Sequence, residues 1–192
     1  MSSSKGDQKD LSDQVVYFSL RLSSPVAFAS AVDRAFADAD SDEAQFYRYL
    51  KQNNRIQSEF HVTLIHVNDR TTHPEIWEKY KAKFKDTLSR ENSGDGTSTL
   101  GSGEVLADQV VWDQGIMALA VRATGGDGEP LPCANANAHI TIGTANDSIK
   151  AFESNDLLQR WKEGDQSKGS IRCKEFPKGC TFEGSVRANF AG

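Results

Sequence analysis

Between residues 14 and 22 the chain reads QVVYFSLRL. Val16, Phe18, Leu20 and Leu22 alternate with positions that include Ser19 and Arg21, the two-residue period of a strand with one face in a core. The period then changes. Val26, Ala29, Val32 and Phe36 recur at helical spacing, with Ser24 placed to cap the helix and Pro25 suited to its first turn. From residue 41 a second, shorter helix is predicted, turning Phe46, Tyr49 and Leu50 inward. EFHVTLIHV, residues 59–67, returns to a strand pattern. Residues 72–91 form a helix with Ile76, Trp77, Tyr80, Phe84 and Leu88 on one side and Lys79, Lys81, Lys83 and Lys85 on a solvated face. NSGDGTSTLGSG, residues 92–103, is too rich in Gly and Ser for either element.

Residues 104–123 read as two strands turning near Asp113, Gln114 and Gly115, a β-hairpin. A second loop leads to AHITIGT, residues 138–144, another strand. Residues 154–164 suit a short helix, capped by Ser154 or Asn155 and stopped near Gly164. GSIRCKEF and CTFEGSVRANF finish the chain as strands. Seven strands and four helices, dominated by hairpins and without βαβ alternation, predict an α+β fold with antiparallel or mixed sheets.

Composition narrows the class. The chain has 192 residues, 38% hydrophobic and 26% charged, enough for one sizeable core or two lobes sharing one. No apolar run approaches the roughly 20 residues of a membrane helix. Residues 1–13 are polar, lack the apolar segment of a secretory signal, and read as a disordered tail or linker ahead of a domain at 14–192. Cys133, Cys173 and Cys180 are an odd set in no zinc-binding spacing, which suits reduced thiols in the cytoplasm or nucleus. The net charge of −5 speaks against a surface that grips long nucleic acid, whose affinity comes from phosphate neutralisation. A single nucleotide or one RNA end in a local pocket remains compatible.

The candidate chemistry lies in a repeated pattern. Two of the four histidines stand in His-x-Thr, once in HVTL and once in HITI. In a strand, residues two apart share a face, so His61 sits beside Thr63 and His139 beside Thr141, each pair backed by apolar neighbours. Two imidazoles in one pocket can divide acid–base work near neutral pH, each proton transfer contributing about 10²–10⁴-fold. The threonine hydroxyls can donate to non-bridging phosphate oxygens. Four such groups suit in-line displacement at a phosphodiester, and a strained cyclic phosphate is the easiest substrate.

HVTL and HITI resemble the signature of the two-histidine (2H) phosphoesterase superfamily. FHVTLIHV with the Trp-containing helix after it, and AHITIGTANDSIKAFESNDLL, are similar to the cyclic phosphodiesterase domain at the C-terminus of fungal tRNA ligases. That resemblance implies a bilobal 2H fold: two mainly antiparallel sheets lining a central groove, with helices outside. It implies hydrolysis of an RNA 2′,3′-cyclic phosphate to a 2′-phosphate and 3′-hydroxyl at a tRNA exon end, without metal or other cofactor. His61 and His139 become the catalytic histidines, His61 as acid and His139 as base, with Thr63 and Thr141 binding phosphate. The chain contains no Lys-x-x-Gly for lysine adenylation and no Gly-x-x-x-x-Gly-Lys-Ser/Thr for ATP phosphates. Kinase and ligase modules would therefore lie elsewhere in a longer protein, and the domain itself is expected to be monomeric and away from membranes.

Further positions carry lesser expectations. Gly143 follows on the His139 face and offers room for substrate backbone, or marks a bulge. Lys150 is placed to reach a phosphate, or is simply solvated. His66, five residues after His61, falls on the opposite face by strict alternation and belongs in the core or under a helix, and His73, before Pro74 at a helix start, is a surface or capping residue. Tyr17, Trp112 and Phe152 are candidates to stack on a nucleobase. Two alternatives stay open: a related enzyme acting on small cyclic nucleotides or 2′,5′-oligoadenylate, and a non-catalytic nucleotide-binding module.

Overall fold

The computed structural model of the protein describes residues 10–91 and 99–192. Its strands are β1 (Val15–Leu22), β2 (His61–His66), β3 (Thr99–Trp112), β4 (Ile116–Gly125), β5 (His139–Thr144), β6 (Arg172–Glu175) and β7 (Thr181–Phe190). Its helices are α1 (Pro25–Ala37), α2 (Gln45–Gln52), α3 (Pro74–Arg90) and α4 (Ser154–Glu163). Local chemistry sets several boundaries. Ser24 Oγ accepts from the Ala27 amide at the start of α1. Asp113 Oδ1 accepts from the amides of Gly115 and Ile116, closing the β3–β4 turn. Gly164, at φ 69°, ends α4 in the left-handed conformation that glycine adopts freely.

The strand order is β4-β5-β2-β1-β7-β3-β6, and β3 also pairs with β4. Every pairing is antiparallel. Six strands therefore close into a barrel, with β6 extending the β3 edge. The fold is α+β as expected, but the two expected sheets are one. The reason is β1, which bonds β2 along one edge and β7 along the other, and β3, which bridges β7 and β4. No free edge separates the halves.

The main core gathers Phe18, Leu20, Val62, Leu64, Leu119 and Ile140 with the inner faces of α1, α2 and α3. A smaller cluster sets Leu157 and Leu158 of α4 on Val111, Ile116 and Ala118. In α3, Trp77, Tyr80 and Phe84 are core residues, as the helical spacing predicts. In α2 the buried residues are Tyr47 and Leu50, not Phe46 and Tyr49. Tyr47 stacks on Phe36 and bonds Asp33, whereas Tyr49 stays exposed and donates to the Ala145 carbonyl.

Two segments predicted to be irregular contain regular structure. Of the tail, residues 1–9 lie outside the described residues, but Leu11–Gln14 form a 3₁₀ turn capped by Asp10, with Ser12 buried. Lys81 pairs with Asp13 and Lys85 with Asp10, so two of the four α3 lysines hold this segment. Of the Gly/Ser-rich loop, residues 92–98 lie outside the described residues, and residues 99–103 already belong to β3. No helix among the described residues is long and apolar enough to cross a membrane.

Candidate active site

The two His-x-Thr segments are neighbouring strands. Val62 of β2 pairs with Ile140 of β5 in antiparallel register, and both side chains are fully buried. That register sets His61 beside Thr141 and Thr63 beside His139, on the face opposite the core. Each histidine thus has the other motif's threonine as its cross-strand neighbour. All four side chains line one cavity of about 620 Å³.

Each histidine is prepared differently. His139 is 7% exposed, and its Nδ1 lies 2.7 Å from the Asn137 carbonyl. A carbonyl only accepts, so Nδ1 carries the proton and Nε2 is left as the working nitrogen. His61 makes no ring hydrogen bond among the described residues and lies against Tyr17, with ring centroids 5.8 Å apart. Burial pulls the His139 pKa below the usual histidine value, and the bond to Asn137 opposes it. Burial likewise lowers His61. The neighbouring His139 adds to that shift, the Glu59 carboxylate opposes it, and Arg21 reinforces it. A proton on one imidazole therefore disfavours a proton on the other.

The threonines also differ. The Thr63 hydroxyl faces the cavity with no partner among the described residues. Thr141 Oγ1 donates to the Ala151 carbonyl at 3.0 Å and lies 2.8 Å from Ser154 Oγ, which must then donate to it. Thr141 reaches a ligand with its proton only by turning away from Ala151.

Two β-bulges revise the expected faces. Opposite Phe18 and Ser19, β2 fits Ile65 and Thr63, leaving Leu64 as an extra residue. Leu64 and Ile65 are both buried, and His66 emerges on the His61 side, in the cavity wall rather than the core. In β5 the extra residue is Ile142, between Thr141 and Gly143. Gly143 consequently turns from the cavity, and a Cβ on it would stand 2.5 Å from the Arg55 carbonyl oxygen. Its missing side chain admits the chain crossing at Arg55 and Ile56. Lys150 is likewise outside the wall, its Nζ bound to the Asp147 carbonyl. His73 stands at the N-cap of α3, as expected.

The three aromatic candidates separate. Tyr17 and Phe152 line the cavity, whereas Trp112 is 3% exposed in the core beside Phe36. Phe152 is 76% exposed at the rim, an open ring face for a base. Gln57, Glu59, Asn135 and Asn155 also line the cavity, and Asn155 Oδ1 is buried without a hydrogen-bond partner among the described residues. Glu59 was within reach of sequence reasoning, since it stands two residues before His61. Asn135 and Asn155 arrive from a loop and from α4, where no period announces them. The wall contains no Lys or Arg among the described residues. Among the described residues no three His, Cys, Asp or Glu side chains converge as a metal site.

Residues 2–190 match the family described as the fungal tRNA ligase phosphodiesterase domain. The chain belongs to that family. This phosphodiesterase domain is 30% identical over 161 residues to tRNA ligase 1 of Schizosaccharomyces pombe, covering 81% of its own length and 19% of the relative. It therefore spans about a fifth of that ligase. Among solved structures, the crystal structure of a fungal RNA kinase superposes with a TM-score of 0.63 at 17% identity, over 98% of this chain and 47% of the other. At that identity the likeness concerns the fold.

Proposed function

We propose that the domain is a metal-independent 2′,3′-cyclic phosphodiesterase that opens RNA 2′,3′-cyclic phosphate ends to a 2′-phosphate and a 3′-hydroxyl in tRNA splicing. The supporting observation is the Val62–Ile140 register, with two imidazoles and two hydroxyls crossed on one cavity wall. Neutral His139 takes a proton from water at Nε2 as the water oxygen attacks phosphorus. The P–O3′ bond breaks in line, and protonated His61 gives its proton to O3′. The new bond is P–O(water); His139 then releases its gained proton to solvent, and His61 takes one up, before the next turnover. Thr63 donates to one non-bridging oxygen, and Thr141, turned from Ala151, to the other. The terminal base stacks on Phe152. The reaction needs no redox partner, and two proton carriers suffice for it.

A tRNA exon is the substrate this family membership favours, and the share of the ligase that the chain covers suits a domain joined to kinase and ligase modules. The test is an RNA oligonucleotide ending in a 2′,3′-cyclic phosphate, incubated in EDTA with the wild type and with His61→Ala and His139→Ala. Cyclic end opening by the wild type alone supports the reading. Activity surviving in both variants contradicts it.

A further inference from the structure

His66 has no part in the acid–base scheme, yet the β2 bulge at Leu64 turns it into the cavity wall. Bulges beside active sites re-aim side chains, and here the re-aimed side chain is a third histidine. Its ring is fixed on two sides. It stacks on Tyr17 at 6.4 Å between centroids and 9° between planes. Its Nδ1 accepts from the Asn68 amide at 3.1 Å. The neutral ring must then carry its proton on Nε2, the reverse of His139. His66 is thus a standing hydrogen-bond donor, whereas His139 presents an acceptor.

Tyr17 lies between His61 and His66, so this donor sits beyond the reaction centre along β2. An RNA strand entering the cavity brings more than one phosphate. Among the described residues the wall offers it no Lys or Arg, and it holds the carboxylates of Asp69 and of Glu59, the latter paired with Arg21. An anionic strand there needs directed donors. We propose that His66 donates from Nε2 to the phosphodiester immediately upstream of the terminal nucleotide, making the site selective for RNA ends over free cyclic nucleotides. This rests on the cyclic phosphodiesterase reading above and names a specificity residue within it.

The test compares a diadenosine ending in a 2′,3′-cyclic phosphate with adenosine 2′,3′-cyclic phosphate. His66→Ala is expected to lower the ratio of kcat/KM for dinucleotide over mononucleotide by about tenfold, mainly through the dinucleotide KM. His66→Gln, whose amide N–H falls near the place of Nε2–H, should restore most of the ratio. A dinucleotide with a neutral methylphosphonate link should cost the wild type a similar factor and cost His66→Ala nothing further. Equal losses on both substrates, or no loss on either, would overturn the assignment. A wild type inactive on both substrates would instead overturn the cyclic phosphodiesterase reading itself.

Discussion

Gly143→Ala probes the bulge in β5. The added methyl would lie 2.5 Å from the Arg55 carbonyl oxygen, 3.3 Å from its carbonyl carbon and 3.2 Å from Leu50 Cδ1. The leucine tip can move, but the Arg55 backbone is pinned. The Gln57 amide bonds the Ile142 carbonyl at 2.9 Å, and the Arg55 side chain bonds Thr144 through Nε and Nη2. Overpacking against a fixed backbone costs about 1–3 kcal/mol. Removing a glycine from a strand returns about 0.5–1 kcal/mol, which offsets part of that. The net expectation is about 1 kcal/mol of destabilisation, a melting temperature lower by roughly 2–4 °C for a domain of this size. Thermal unfolding by circular dichroism measures it, with kcat/KM on a cyclic phosphate end recorded below the transition. A variant with unchanged melting temperature and sharply reduced activity would refute the reasoning and return Gly143 to the substrate.

Replacing His61 or His139 by Ala should each lower kcat by about 10²–10⁴-fold, read by single-turnover cleavage. In the proposed mechanism the two imidazoles share one proton, and both sit below the usual histidine pKa, so kcat/KM should be bell-shaped with its optimum on the acid side of 6.5. Each single His→Ala variant should lose one limb. The same shifts act on stability. The unfolded chain binds more protons than the folded one just below pH 6.5, so the histidine contribution is complete above that value and is lost as pH falls towards the folded pKa values. A melting temperature that rises between pH 7 and 5.5 would contradict it. Phe152→Ala should raise KM about tenfold, by loss of one base stack, without changing the melting temperature of a ring already 76% exposed.

The elements were largely legible because their signals are local. Alternation from Val16 to Leu22 marked β1, Ser24 and Pro25 marked the start of α1, and Asp113 to Gly115 marked the hairpin. The His-x-Thr segments announced their own faces, and their shared cavity followed once β2 and β5 paired. The errors have a common physical origin. A two-residue period cannot foresee an inserted residue, so Leu64 and Ile142 inverted the faces assigned to His66 and Gly143. Closure of the sheet was equally hidden, because it depends on which strands β1 and β3 choose on both edges. Trp112, Tyr17 and Phe152 looked alike as candidates, since burial is decided by distant partners such as Phe36. Asn155 carried no pattern at all, and only its unpartnered buried oxygen brings it to notice.

The central claim is that paired histidines expel O3′ from a cyclic phosphate. Its most direct measurement is the structure of the new RNA end after a single turnover in EDTA, read by mass and phosphorus NMR. The expected product is a 2′-phosphate with a free 3′-hydroxyl, formed by the wild type and by neither His61→Ala nor His139→Ala. A 3′-phosphate, or an unopened cyclic end with folded wild-type protein, would contradict it.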